Sequence, residues 1–119
     1  VSFGGPGETR DTIREGLRNI GRLEKCVVFA SIGYRIHPGT RLFNIALEGG
    51  IIQKGRNLIE PVFYVSPDVD LRHVRDSVED AFSSDRLRIC SWDRRNRPTV
   101  EHFHSKGRRG PVWDLLLEN

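Results

Sequence analysis

The sequence contains no methionine and only two cysteines among its 119 residues, and each scarcity narrows the classes of protein to consider. Cys26 and Cys90 are far apart and each lies in an apolar run, so we expect buried thiols and a reducing, cytoplasmic environment. Two isolated cysteines are too few to hold an iron–sulfur cluster or a structural zinc ion without ligands from elsewhere. No segment approaches the roughly 18 apolar residues of a membrane helix, so we expect no membrane span.

The start of the chain lacks the features of a natural beginning. The first residue is Val1 rather than methionine, and the segment from Val1 to Phe3 already has the character of a strand. We therefore expect a trimmed N terminus and a chain that is one part of a larger protein. A chain of 119 residues has room for one domain, and losing neighbouring structure would cost it buried surface.

Positive charge is in slight excess, with 19 Lys and Arg against 16 Asp and Glu, and it is concentrated near the C terminus. Such a concentration is able to contact phosphates, but a solvated basic loop is the commoner explanation and is the one we adopt. The basic residues of this stretch are Arg94, Arg95, Arg97, Lys106, Arg108 and Arg109.

The first 30 residues predict a strand, a glycine-rich turn, a helix and a second strand. Thr9 is a good helix N-cap, and apolar residues then recur at helical spacing, at Ile13, Leu17 and Ile20. The run from Cys26 to Ala30 is continuously apolar, which is typical of a strand buried on both faces of a parallel sheet. We therefore predict a βαβ unit.

The rest of the chain predicts further α/β structure. Thr40 caps a short helix that extends to about Glu48, and an irregular connection follows. The later predicted elements are a strand over 62–65, a helix over 71–82, an alternating strand over 86–92 and a short helix after Pro111. The buried face of the second long helix is predicted to contain Leu71, Val74, Val78 and Phe82.

The glycine-rich turn from Gly4 to Glu8 is the first candidate site. It follows the carboxyl end of a predicted strand, where ligands bind in α/β barrels and open sheets. Its glycines let a ligand approach bare backbone, and the following helix N terminus adds partial positive charge. The turn has neither the Lys-Ser/Thr pair of a Walker loop nor a Gly-x-Gly-x-x-Gly pattern. A plain tight connection is the alternative, and Glu8 is equally suited to favour the helix dipole.

The stretch from Arg35 to Leu42 is the second candidate, because it follows the next predicted strand. The carboxyl ends of neighbouring parallel strands lie at one edge of a sheet, so we expect both turns on the same side. Arg35 is able to reach a carboxylate or phosphate, with a surface ion pair as the alternative. Farther along, His102 and His104 would share a face on a strand, but no third ligand is evident and we predict no metal site.

Two segments together resemble the second half of the catalytic barrel of radical S-adenosylmethionine enzymes. Residues 3–9, Phe-Gly-Gly-Pro-Gly-Glu-Thr, are similar to the Gly-x-Pro-Gly-Glu-Thr turn after the fifth strand in the cobalamin-binding branch of that family. Residues 38–42, Pro-Gly-Thr-Arg-Leu, are similar to a Tyr-Pro-Gly-Thr-x-Leu stretch after the sixth strand, with His37 in place of Tyr. The order, separation and intervening helix agree, and the resemblance covers about residues 1–65.

The resemblance implies a partial (β/α) barrel with a [4Fe–4S] cluster on a Cys-xxx-Cys-xx-Cys loop. In such enzymes the cluster binds and reduces S-adenosylmethionine, releasing a 5′-deoxyadenosyl radical that abstracts hydrogen from a substrate. The first motif helps to hold S-adenosylmethionine, and the backbone of the second, matched by Pro38, Gly39, Thr40 and Leu42, lies near its adenine. The cofactor-binding residues that we predict are Gly4, Gly5, Pro6, Gly7, Glu8 and Arg35.

The sequence has no Cys-xxx-Cys-xx-Cys motif, so the resemblance implies the trailing part of a barrel that is inactive alone. We expect residues 1–65 to form a half-barrel with mostly parallel strands and residues 66–119 to form an α/β extension packed on it. The parent enzyme would carry the cluster and a cobalamin-binding domain. Expected partners are the remainder of the barrel and other copies of the chain, because a half-barrel has an unpaired strand edge.

The alternative is a small basic α/β module that contacts nucleic acid or a protein partner through the stretch from Arg94 to Arg109. The sequence lacks a recognisable motif for reading RNA or DNA, and its acidic residues nearly balance the basic ones. The barrel interpretation expects no nucleic-acid partner. A purely structural domain without a ligand is the third possibility.

Overall fold

A computed structural model of the chain describes residues 1–93 and 97–117, which form a three-stranded parallel sheet, a two-stranded antiparallel sheet and five helices. The strands are β1 Ser2–Phe3, β2 Val28–Ile32, β3 Tyr34–Arg35, β4 Phe63–Tyr64 and β5 Arg88–Cys90. The helices are α1 Arg10–Gly21, α2 Arg41–Glu48, α3 Leu71–Phe82, α4 Arg97–Ser105 and α5 Val112–Leu117. Arg94 and Arg95 of the basic stretch lie outside the described residues.

The parallel sheet has the strand order β1-β2-β5, which confirms the predicted βαβ unit. Helix α1 begins where expected, because Thr9 and Thr12 form a reciprocal capping pair. The Thr9 N–H donates to the Thr12 hydroxyl at 2.9 Å, and the Thr12 N–H donates to the Thr9 hydroxyl at 3.4 Å. Strand β1 ends at Phe3, so only the glycine-rich turn and the cap residue separate it from α1.

Helices α1 and α3 pack on the parallel sheet and create the larger of two hydrophobic clusters, which we call the main cluster. Residues on both sides of position 65 contribute to it, so the two predicted segments share this core. Its buried members are Phe3, Ile13, Ile20, Ala30, Val69, Val74, Val78, Phe82 and Cys90.

Two predictions about buried faces are wrong. Strand β2 is not buried on both faces, because Phe29 is 37% exposed and makes an edge-to-face ring contact with Trp113 of α5, at 6.3 Å between centroids. Leu71 does not join the buried face of α3. It is the first residue of that helix, next to the cap residue Asp70, and it is 54% exposed.

The last part of the chain also differs from the predictions. Strand β5 does not alternate, since its three residues are all buried. The Arg88 guanidinium donates to the carbonyl oxygens of Cys26 at 2.8 Å and Leu23 at 2.5 Å, which satisfies a charge buried at the end of α1. The basic stretch is not all loop, because residues 97–105 form α4. Pro98 lies in its first turn, where a missing N–H costs no helical bond, and Phe103 is buried.

Strands β3 and β4 pair in antiparallel fashion and, with α2, enclose a second cluster. Gly33 alone separates β2 from β3, and its φ of +87° turns the chain out of the parallel sheet. The buried members of the second cluster are Ile36, Ala46, Ile52 and Tyr64. The molecule thus places two small cores side by side.

Among residues 1–93 and 97–117, none of the helices combines the length and the apolar character needed to cross a membrane.

Candidate ligand-binding site

The glycine-rich turn, residues 4–8, lies at the carboxyl end of β1 and is closed by its own glutamate. One oxygen of the Glu8 carboxylate, Oε2, accepts hydrogen bonds from the N–H groups of Gly4 and Gly5, the latter at 3.1 Å. The Glu8 N–H in turn donates to the Gly5 carbonyl at 3.1 Å. Two backbone donors that would suit an anionic ligand are therefore occupied, and the turn already contains a negative charge.

The small antiparallel sheet holds the same turn from the other side. The Ser66 N–H donates to the Gly4 carbonyl at 2.8 Å, just beyond β4. A Cβ at Gly4 would lie 3.3 Å from Val65 Cγ1, and Gly4 has a φ of +91°. Both the lack of space and the backbone conformation therefore favour glycine at this position. The turn is thus fixed between the two sheets.

Tyr34, the first residue of β3, makes a further link to the turn. Its hydroxyl donates to the Ser2 carbonyl at 2.9 Å, and its ring atom Cε2 lies 3.1 Å from where a Cβ on Gly5 would stand. Burial, together with the negative charge of Glu8, raises the pKa of the Tyr34 phenol above its ordinary value of 10.0. The phenol is therefore neutral at physiological pH and remains a hydrogen-bond donor.

The second motif forms a tight turn that starts α2. The Thr40 hydroxyl donates to the His37 carbonyl at 2.8 Å and accepts from the Phe43 N–H at 3.2 Å. Gly39 has a φ of +76°, which favours glycine in this turn. The cap fixes the direction of the first turn of α2, which begins with Arg41 and Leu42.

The two motifs meet at one cleft of about 420 Å³. Pro6 contributes from the glycine-rich turn, and Tyr34 lies between that turn and α2. The lining is mainly apolar and includes one charged residue, Arg41; the lining residues are Pro6, Tyr34, Arg41, Leu42 and Ile45. Arg41 makes no ion pair within the described part of the chain, and the first turn of α2 has no acidic residue. The cleft can therefore accept an apolar group that carries a negative charge.

The predicted cofactor-binding residues are brought together only in part. Gly4, Gly5, Pro6 and Glu8 form one compact turn, and Pro6 reaches the cleft. Gly7 lies at the exposed side of the turn, where a Cβ added to it would meet nothing within 4 Å. Arg35 is exposed, and side-chain alternation along β3 directs it to the face opposite Tyr34, away from the cleft.

Sequence reasoning missed Tyr34 and Ile45 as cleft residues, and it included Arg41 only as part of the second motif, without a role of its own. The signal for Arg41 and Ile45 was present, since the cap at Thr40 places both on the first turns of α2. Tyr34 had a weaker signal, its position directly after Gly33 at the end of an apolar strand. Its contact with Gly5 depends on a chain reversal that is not visible in the local sequence.

The histidine pair has a different arrangement from the one considered above. His102 and His104 lie on α4, where residues two apart point about 200° away from each other around the axis and do not share a face. Within the residues that the structure describes, no three His, Cys, Asp or Glu side chains come together as metal ligands. Cys26 is half-buried and Cys90 is buried in the main cluster. These residues do not fit an iron–sulfur cluster.

Comparison of the chain with protein-family models, with curated proteins and with solved structures found no match. The case for a function therefore rests on the two motifs and on the cleft between them.

Proposed function

We propose that this chain is the S-adenosylmethionine-binding part of a radical S-adenosylmethionine oxidoreductase, from the second half of its (β/α) barrel. One observation carries the proposal. The two segments that resemble the family, residues 3–9 and 38–42, are more than 25 positions apart in the sequence, yet both border the same cleft, through Pro6 on one side and Arg41 and Leu42 on the other. The cleft lies at the carboxyl ends of β1 and β2, where ligands bind in parallel α/β structures.

The chemistry of the cleft suits S-adenosylmethionine. Its adenine ring is flat and apolar on both faces, which matches the side chains of Pro6, Leu42 and Ile45. Its carboxylate matches the guanidinium of Arg41. When it is bound at a reduced [4Fe–4S] cluster, S-adenosylmethionine supplies a 5′-deoxyadenosyl radical to the substrate. The contribution of this chain is to bind and orient the cofactor.

The cluster itself would be held by cysteines elsewhere in the parent protein. Cys26 and Cys90 occupy core or half-buried positions, and the sequence contains no Cys-xxx-Cys-xx-Cys loop. The chain alone is therefore expected to bind no cluster and to have no radical activity. A cobalamin-binding domain in the parent is part of the proposal, on the basis of the first motif.

The remainder of the barrel is the partner that the proposal requires. Strands β1 and β5 are at the edges of the parallel sheet, each with one neighbour among the described residues. We expect the missing strands to extend the sheet and the isolated chain to self-associate at an edge. Sedimentation of the isolated chain at increasing concentration tests this expectation, and a strict monomer would count against it.

Cofactor binding by Arg41 variants is the test of the proposed function. A longer chain that includes the upstream cluster loop, reconstituted with iron and sulfide, should bind S-adenosylmethionine in calorimetry and form 5′-deoxyadenosine after reduction. Arg41→Ala should weaken binding about tenfold, the loss of one charge-assisted hydrogen bond. Arg72→Ala is the matched control, because Arg72 is also an exposed arginine in the first turn of a helix, α3, but lies outside the cleft.

Each outcome has a clear meaning. If the reconstituted protein neither binds nor cleaves S-adenosylmethionine, the proposed function is wrong. If it does both and Arg41→Ala behaves like Arg72→Ala, the function holds but the cleft is not the binding site.

The basic binding module is the alternative, and the described structure offers it less support. The Arg108 guanidinium lies over the Phe103 ring, 5.6 Å from its centroid, so one of the basic side chains packs on α4. Filter binding to single-stranded RNA at low salt tests this alternative directly, since contacts with phosphates strengthen as salt falls.

A further inference from the structure

The glycine-rich turn offers few of its own polar atoms to a ligand, so its contribution to binding depends on its shape and its position. Glu8 occupies the N–H groups of Gly4 and Gly5, and Ser66 occupies the Gly4 carbonyl. These contacts fix the internal shape of the turn and attach it to the segment that follows β4. The position of the turn relative to α2, across the cleft, needs a contact of its own.

Tyr34 links the turn to the segment that leads into α2, because it lies in β3 and the chain continues from β3 through residues 36–40 into α2 at Arg41. It is the lining residue that also touches the strand and turn on the other side of the cleft, through its hydroxyl bond to Ser2 and through its ring beside Gly5. The ring approaches Gly5 so closely that a Cβ there would stand 3.1 Å from Cε2, a distance that forces the ring to move. Gly5 does not have a positive φ, so its lack of a side chain serves this approach rather than a special backbone conformation.

We propose that Tyr34 is a positioning residue for the proposed cofactor site: it sets the spacing between the glycine-rich turn and α2 through its hydroxyl bond to Ser2 and its ring contact with Gly5. The inference rests on the proposed function for its ligand, S-adenosylmethionine, but the spacing itself belongs to the chain. Tyr34 is 39% exposed, so part of its ring is also open to whatever occupies the cleft.

A matched control is available in the same small sheet. The chain has two tyrosines, and the second, Tyr64, is the direct partner of Tyr34 in the register of β3 and β4. Tyr64 is buried in the second cluster and is not among the cleft residues. Tyr34→Phe and Tyr64→Phe therefore remove the same atom from neighbouring positions, and only the first is expected to loosen the turn.

The first readout requires no ligand. Amide hydrogen exchange of this chain should show faster exchange at Gly4 and Gly5 in Tyr34→Phe, by about threefold to tenfold, and unchanged exchange there in Tyr64→Phe. Gly5→Ala should also speed exchange. In the double variant Gly5→Ala/Tyr34→Leu the smaller side chain relieves the clash, so its exchange should match that of Tyr34→Leu alone.

The second readout uses the longer reconstituted protein and S-adenosylmethionine. Tyr34→Phe should weaken binding by about threefold to tenfold while the thermal midpoint stays close to that of Tyr64→Phe. Unchanged exchange and unchanged affinity in Tyr34→Phe would overturn the inference even if the wild type binds S-adenosylmethionine well. Faster exchange at Gly4 and Gly5 in a protein that binds no S-adenosylmethionine would retain the positioning role and reject the proposed function.

Discussion

The main cluster and the second cluster are built in different ways, although the chain passes from one to the other at a single residue, Gly33. The main cluster has nine buried residues, from β1, β2, β5, the helices α1 and α3 and the loop before α3, whereas the second has four, from β4, α2 and the segments that follow β3 and α2. The number of partly buried hydrophobic residues packed against each cluster follows the opposite order, with four at the main cluster and six at the second. The main cluster is thus a closed core, and the second is mostly a partly covered surface.

This difference explains where the candidate site lies. Leu42 and Ile45 are partly buried residues that pack against the second cluster, and they also line the cleft. An apolar side chain that is not fully covered by the protein is available to a ligand. The main cluster provides a rigid support for the glycine-rich turn, and the second provides the apolar wall that faces it.

The largest effect is expected from removing matched isoleucines from the two clusters. Ile13 is 2% exposed in the main cluster and Ile36 is 1% exposed in the second. Ile13→Ala should lower the free energy of unfolding by about 3–5 kcal/mol, because a closed core relaxes little around a cavity. Ile36→Ala should cost about 2–3 kcal/mol, because its partly covered neighbours are able to close in.

Urea denaturation followed by far-UV circular dichroism measures both variants. Ile59→Ala is the control, since Ile59 is highly exposed and its loss should change stability by less than about 0.5 kcal/mol. Equal losses for Ile13→Ala and Ile36→Ala would show that the two clusters are equally closed.

A smaller effect is expected from adding a methyl group at the junction of the two clusters. Gly33 has a φ of +87°, and a Cβ there would lie 3.3 Å from the Tyr64 carbonyl oxygen. Gly33→Ala should therefore cost about 2–3 kcal/mol, from backbone strain and from the crowding.

The control for this variant separates the two causes. Gly55 has nearly the same φ, +85°, but nothing lies within 4 Å of its Cβ position. Gly55→Ala should cost only about 1 kcal/mol, from strain alone. Thermal unfolding of both variants measures the difference, and equal losses would mean that the packing at Gly33 contributes nothing.

The smallest effect is the pH dependence that Tyr34 adds to the stability of the native chain. Its pKa is raised in the folded protein, so as pH rises the unfolded chain loses its phenolic proton first. Below about pH 10, the pKa of Tyr34 in the unfolded chain, the neutral phenol contributes its full stabilisation to the folded protein. This stabilisation is lost as the pH rises through the higher pKa of Tyr34 in the folded protein. Stability should therefore fall above about pH 10.

Comparison of urea midpoints at pH 9 and pH 11 isolates this contribution. The wild type should lose more stability across the interval than Tyr34→Phe, because these two chains share every titrating group except Tyr34. The same loss in Tyr34→Phe as in the wild type would assign the pH dependence to those other groups.

The elements that the sequence predicted correctly are those whose position depends on residues close together in the chain. Helices α1, α2 and α3 begin directly after Thr9, Thr40 and Asp70, each of which caps its helix with a side-chain oxygen. The parallel pairing of β1 with β2 followed from the apolar run and the helix between them.

The parts that were missed depend on contacts between distant residues. Strand β3 has two residues and exists because Tyr34 and Arg35 pair with β4, almost thirty positions away, which no local pattern shows. Phe29 is partly exposed, and its ring contacts Trp113 of α5, a residue more than eighty positions away that no local pattern connects to β2. The candidate site divides in the same way: the two motifs were found in the sequence, but Tyr34 required the fold.

The crowding around Gly33 has a consequence for how a ligand would enter the cleft. Its N–H donates to the Phe3 carbonyl at 2.7 Å, and a Cβ added to it would stand 3.3 Å from both Phe63 Cβ and the Tyr64 carbonyl oxygen, so this junction is too closely packed to act as a hinge. The two walls of the cleft are therefore preorganised during folding, and a ligand does not have to order them when it binds. We expect the structures of the ligand-free and ligand-bound chains to superpose closely around the cleft. The ligand would then be recognised by the existing shape of the cleft, without closure of its walls.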